Sequence, residues 1–124
     1  MRPIYMPDHE PVNADALRKL RSLGGEKFLL EMIALFRDYG AKKVAEARKA
    51  LAEHNALGME KASHAIKSSA MNLGANRLRE LCANMEQSAK QNQWESLPVL
   101  QAELESEFER VRIALEPAAK NLEV

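Results

Sequence analysis

The sequence predicts an all-α fold, an antiparallel four-helix bundle with a short additional N-terminal helix. Three observations predict it. Ala, Leu, Glu, Lys and Arg dominate, while Gly and Pro number five each and aromatic residues make up only 5%, a mixture that favours helices. Apolar residues recur at steps of three and four along most of the chain. No segment alternates apolar and polar residues as a half-buried strand does, and no repeat or low-complexity stretch interrupts the pattern.

The elements follow in order. Asn13 can cap a short helix over Ala14–Leu23, with Ala16, Leu17 and Leu20 at helical spacing and Gly24-Gly25 at its end. A long helix is expected from about Glu26 to Glu53, with a stripe of Leu29, Met32, Ile33, Phe36, Gly40, Val44, Ala47 and Leu51. Gly40 lies inside that stripe, where glycine costs roughly 1 kcal/mol of helix propensity; a close helix crossing would justify it. His54-Asn55-Ala56 is the break. The next helix runs from about Leu57 to Leu73 on Ala62, Ile66, Ala70 and Leu73, helped by Met59 and Ser69, and Gly74 ends it. Asn76 opens another, with Leu78, Leu81, Cys82, Met85 and Ala89 on one face, closed by the polar Gln91–Gln93. Ser96 is the expected cap of the last helix, which tolerates Pro98 in its first turn and ends or frays at Pro117. Its apolar positions are Leu97, Leu100, Leu104, Phe108, Val111 and Leu115. Short connections between long amphipathic helices favour antiparallel neighbours, with the short first helix as a lid.

A chain of 124 residues is expected to hold one domain, here over 12–120, preceded by an arm over 1–11 with three prolines and no helical period. Met6 in that arm is a second candidate start. Basic and acidic residues balance at 18 each, which argues against a general nucleic-acid binder. The apolar runs are far short of the ~20 residues that span a bilayer. The N-terminus lacks the apolar centre of a signal peptide. The single cysteine, Cys82, excludes an internal disulfide and fits a cytoplasmic location. Cys82 falls on a core stripe and reads as a small buried hydrophobe.

Candidate chemistry concentrates between Ser63 and Gln87. His64 lies two residues from Ile66, roughly 200° around the helix, so it points away from the core. Lys67 and Ser68, at i+3 and i+4, share its face. By spacing alone such a histidine is an ordinary solvated residue. The wider pattern is less ordinary: His64, apolar Ile66, Lys67, small Ser68-Ser69-Ala70, Leu73-Gly74 ten residues after the histidine, and RLRELC in the next helix. This stretch, Ala62–Glu86 above all, resembles the histidine-containing phosphotransfer (HPt) domain of bacterial and fungal phosphorelays.

The resemblance implies a phosphocarrier with His64 as phosphoacceptor, and no ATP site of its own. It would relay phosphoryl groups between the aspartates of receiver domains, in response regulators or hybrid sensor kinases. No cofactor is implied for this chain, since the receiver would bring the Mg²⁺. A monomer is expected, and the Met start and short tail favour a free-standing protein over an excised end of a hybrid kinase. Lys67 would supply positive charge beside the phosphoryl oxygens. In relatives a Glu or Gln on the following helix orients the imidazole, and counting through Leu81 and Met85 places Glu86 there. Glu86 sits at the edge of that helix's apolar face, where a pair with Lys90 at i+4 is the other reading. Ser68 departs from the family pattern, which usually has Gly. Its hydroxyl could hydrogen-bond a phosphoryl oxygen, or it could mark a pseudo-HPt module that binds a receiver or another enzyme without transfer.

Leu57 and Met71 stack with His64 at i, i+7 and i+14, nearly opposite Ala62, Ile66 and Leu73. Either the first helix or nearby loops cover them, or they form an apolar ring for partner docking. Other signals carry less. His9 and His54 lack any supporting pattern. Glu60 and His64 have a metal-ligand spacing but no second motif, so no metal site is expected. Glu103, Glu105, Glu107 and Glu109 read as a solvated face.

Overall fold

A computed structural model describes the backbone of residues 10–123 and the side chains through Pro117. The expected arm therefore lies almost wholly outside the described residues, Met6 and His9 included. Four helices form: α1 (Ala14–Ala52), α2 (Ala56–Asn72), α3 (Asn76–Lys90) and α4 (Leu97–Glu123). Each packs on its neighbours in the chain, and α1 closes against α4. The α1–α4 seam is thus opposite the α2–α3 seam.

The separate short first helix is not found as an element of its own. Asn13 caps as expected, its Oδ1 accepting from the Asp15 and Ala16 amides at 2.7 and 3.3 Å. The helix, however, resumes directly after one non-helical residue, Gly25, with φ 84° and ψ −178°. Only glycine takes that conformation readily, so Gly25 redirects the chain without ending the helix. At the α2–α3 turn Gly74 has φ 67°, and a Cβ there would lie 2.6 Å from that of Asn13 and 2.8 Å from that of Ala16. The bare glycine lets the start of α1 seat on this turn.

The core follows the predicted stripes. Leu29, Ile33, Phe36, Val44 and Ala47 of α1 meet Met59, Ala62, Ile66 and Ala70 of α2. Leu78, Cys82, Met85 and Ala89 of α3, with Leu97, Leu104, Phe108, Val111 and Leu115 of α4, complete it. Met32, Leu51 and Leu100 are only partly buried, at its margin. Gly40 is buried against Phe108, whose ring stacks on Phe36 with centroids 4.7 Å apart. Burial pushes the Cys82 thiol up to about 12, so it stays protonated and unreactive.

The turns use side chains. Asn55 caps α2, its Oδ1 accepting from the Gly58 amide at 2.9 Å. His54 has φ 51° and stacks on Trp94, with centroids 4.5 Å apart and planes 7° from parallel. The α1–α2 and α3–α4 turns are thereby joined.

Three further expectations are corrected. The Ser96 hydroxyl donates to the Gln93 carbonyl instead of capping α4 with its oxygen. α4 continues through Pro117 to Glu123. Proline there removes the hydrogen bond to the Ile113 carbonyl, but Ile113 is exposed, so water can serve that oxygen. The four glutamates of α4 do not share a solvated face, because a step of two residues turns roughly 200° around a helix. Glu107 is buried and accepts from Arg110. Glu105 pairs with Arg48 of α1, Glu103 with Arg77 of α3, and Glu109 with Arg112.

Candidate phosphotransfer site

His64 stands in the middle of α2 between buried Ser63 and Ile66, and its own side chain is 63% exposed. Helical geometry produces this contrast, since the residues that anchor α2 lie on the other side of its axis. The ring is held from α3. His64 Nδ1 lies 3.1 Å from Glu86 Oε2. A carboxylate only accepts, so Nδ1 carries the proton and donates, which leaves the ring's lone pair on Nε2.

The second oxygen of Glu86 lies 2.5 Å from Lys67 Nζ. Glu86 therefore bridges the α2–α3 seam to two residues of α2, and the alternative pairing with Lys90 is not the one adopted. The Lys67 side chain is 26% exposed, so it lies partly along the seam, on the same carboxylate that holds His64. Glu86 is 13% exposed. Partial burial alone would push its carboxyl up, but hydrogen bonds from Lys67 and His64 and the Lys67 charge outweigh this, and it sits below the usual carboxylate range. A depressed carboxylate stabilises the fold above its unfolded value, and that contribution is lost as pH falls through the folded one. The melting-temperature difference between wild type and Glu86→Gln should accordingly shrink on acidification through and below the ordinary carboxylate range.

Beside His64 an open hollow of about 410 Å³ is lined by Leu57, Glu60, Lys61, Ala65, Glu86 and Lys90. Ser68 is exposed on the next turn. Leu57 and Met71 are both exposed, Met71 by 58%, so neither the start of α1 nor a loop among the described residues covers them. Sequence reasoning missed Lys61 and Lys90 as neighbours of the histidine. Lys61 was recoverable, being three residues before His64; Lys90 was not, because it comes from α3. The Lys67–Glu86 pair was also missed, since it too crosses between helices.

A family model described as the Hpt domain matches residues 31–114. The chain belongs to the Hpt domain family. Its fold agrees with the crystal structure of histidine-containing phosphotransfer protein B from Pseudomonas aeruginosa. The TM-score is 0.86 at 22% identity, over 91% of this chain and 97% of that one. No curated protein sequence matches the chain. Hpt domains are phosphocarrier modules of two-component phosphorelays that interact with receiver domains, and this chain is a histidine phosphotransfer protein in that general sense. No helix among the described residues is long and apolar enough to cross a membrane.

Proposed function

We propose that His64 is the phosphoacceptor, and that the chain relays phosphoryl groups between receiver-domain aspartates through it. The observation that carries this reading is an outward imidazole with Nδ1–H held by Glu86, which directs the Nε2 lone pair to an incoming acyl phosphate. The Nε2–P bond would form as the P–O bond to the donor aspartate breaks, and the reverse step would load the next receiver. Such transfer depends chiefly on positioning and charge stabilisation. Glu86 orients the ring, Lys67 supplies positive charge, and the Ser68 hydroxyl is placed one turn from His64 to donate to a phosphoryl oxygen. Mg²⁺ and acid–base groups belong to the receiver. The chain acts as a monomeric cytoplasmic carrier with no ATP site of its own.

The test is incubation with phosphorylated receivers. The reading expects acid-labile, base-stable label on the chain. Binding without label across several receivers would favour the pseudo-HPt alternative, to which Ser68 in place of the usual Gly points. Lys67→Ala should keep the helical circular dichroism but slow labelling, or shorten phosphohistidine lifetime, by about tenfold through loss of one charge interaction. Unchanged rate and lifetime would leave Lys67 as a partner of Glu86 alone.

The exposed Leu57 and Met71 are proposed as the apolar ring that receives the receiver and excludes water from the transferring group. A flexible methionine suits more than one partner. Met71→Glu should keep its melting temperature within about 1–2 °C, since surface substitutions usually cost under about 0.5 kcal/mol. Receiver binding, measured by titration calorimetry, should weaken, and transfer should slow. Wild-type affinity in this variant would remove Met71 from the docking surface.

A further inference from the structure

Resting on the reading that His64 carries the phosphoryl group, we propose that Glu86 is a holding partner for Lys67. Lys67 exchanges Glu86 for the phosphoryl group when His64 is phosphorylated. The geometry that points to this is one carboxylate with two clients, Lys67 Nζ at 2.5 Å on Oε1 and His64 Nδ1 at 3.1 Å on Oε2. Before phosphorylation Lys67 is committed to Glu86 across the α2–α3 seam. The other charged groups facing the histidine, Glu60 and Lys61 of α2 and Lys90 of α3, line the open hollow. Among the described residues, Lys67 alone is held by the same carboxylate as the ring.

Charge conservation explains why the exchange can occur at little net cost. In the transfer step the Nε2 lone pair forms the P–N bond. The P–O bond to the donor carboxyl breaks, and its electron pair stays on that oxygen. The proton on Nδ1 remains, so the ring itself becomes cationic. The arriving group brings up to about two negative charges and three strong acceptor oxygens, more than the single charge of Glu86. Lys67 is drawn to it. Glu86 is not left uncompensated, because its Oε2 now faces Nδ1–H on a positively charged ring. One ion pair, Lys67 with Glu86, is replaced by two, Lys67 with phosphoryl and Glu86 with the ring. The gain from holding the phosphoryl group is reduced by the Lys67–Glu86 pair given up, which suits a carrier that must release its load. A glutamate at this position thus does more than orient the imidazole: it sets how tightly Lys67 holds the phosphoryl group.

Phosphoramidate is the probe, with phosphohistidine followed by phosphorus NMR and the Lys67 side-chain nitrogen by isotope-labelled NMR. In the wild-type chain the Lys67 Nζ resonance should shift as the phosphohistidine signal grows. The lifetime lost on Lys67→Ala should be at least about threefold greater in a Glu86→Gln background than with Glu86 present, as coupled neighbours require. Phosphohistidine that forms while the Nζ resonance stays in place, with an equal cost of Lys67→Ala in both backgrounds, would overturn the exchange and leave the phosphotransfer reading intact. A wild-type chain that takes no phosphoryl group from phosphoramidate or from any receiver would overturn both. The Nζ measurement needs no variant, so the outcome does not depend on Glu86→Gln folding well.

Discussion

His64→Gln should take up no phosphoryl group from a phosphorylated receiver. The substitution keeps a side chain of similar reach, with an amide that can still donate to Glu86, but it removes the Nε2 lone pair that would form the bond to phosphorus. The fold should be untouched, because His64 is mostly exposed and none of the core packs on it. Circular dichroism and melting temperature should match wild type, and receiver binding should survive where the docking ring is intact. The other described histidine is an informative control. His54 is stacked on Trp94 in the turn before α2, and it lacks the carboxylate partner and neighbouring lysine that surround His64. His54→Asn, in which asparagine tolerates the left-handed backbone found there, should retain full labelling. Label that persists in His64→Gln would place the nucleophile elsewhere and reject the site.

The second large effect is on stability. Gly40→Leu should cost about 2–3 kcal/mol and lower the melting temperature by roughly 10 °C, measured by calorimetry. A Cβ at position 40 would lie 2.7 Å from Phe108 Cε1 and 3.1 Å from Cζ. The ring cannot yield easily, because it stacks on Phe36, which is itself fully enclosed. Leucine improves helix propensity by up to about 1 kcal/mol, and overpacking at a fixed crossing outweighs it. Combining the change with Phe108→Leu should recover part of the loss, since the clash is with the ring and not with backbone. The α1–α4 seam is opposite the α2–α3 seam that carries His64, so transfer per folded molecule should stay near wild type. A raised melting temperature would contradict the buried position of Gly40.

Much of this arrangement was legible before any coordinates. The core stripes of all four helices follow from apolar steps of three and four, because a helix has one angular position per residue whatever surrounds it. The same arithmetic turned His64 away from Ile66 and put Glu86 at the edge of the α3 stripe. Gly40 could be read as a close crossing, since a glycine amid large apolar residues needs a neighbour that occupies its missing side chain. Residues that depend on more than their own helix were harder. Four glutamates at alternate positions on α4 could not share a face, but only packing against α1 and α3 distinguishes the buried Glu107 from the paired Glu103 and Glu105. Gly24-Gly25 read as a terminus, yet a single glycine conformation lets the helix resume because Leu20 and the contact at Gly74 hold the preceding turns in place.

The sequence by itself determined the helices, their buried faces, the outward histidine and the family pattern around it, because each is a property of spacing along one axis. Only the tertiary structure decided that Glu86 reaches back to His64 and not along α3 to Lys90, that Lys67 lies along the seam on the other oxygen of Glu86, and that Leu57 and Met71 stay uncovered. Periodicity states which way a side chain leaves its own helix. It does not state which helix stands there, or how far one has slid past the other. That register comes from the packing of the whole core, and a hydrogen bond between helices is made or lost on a shift of about an ångström.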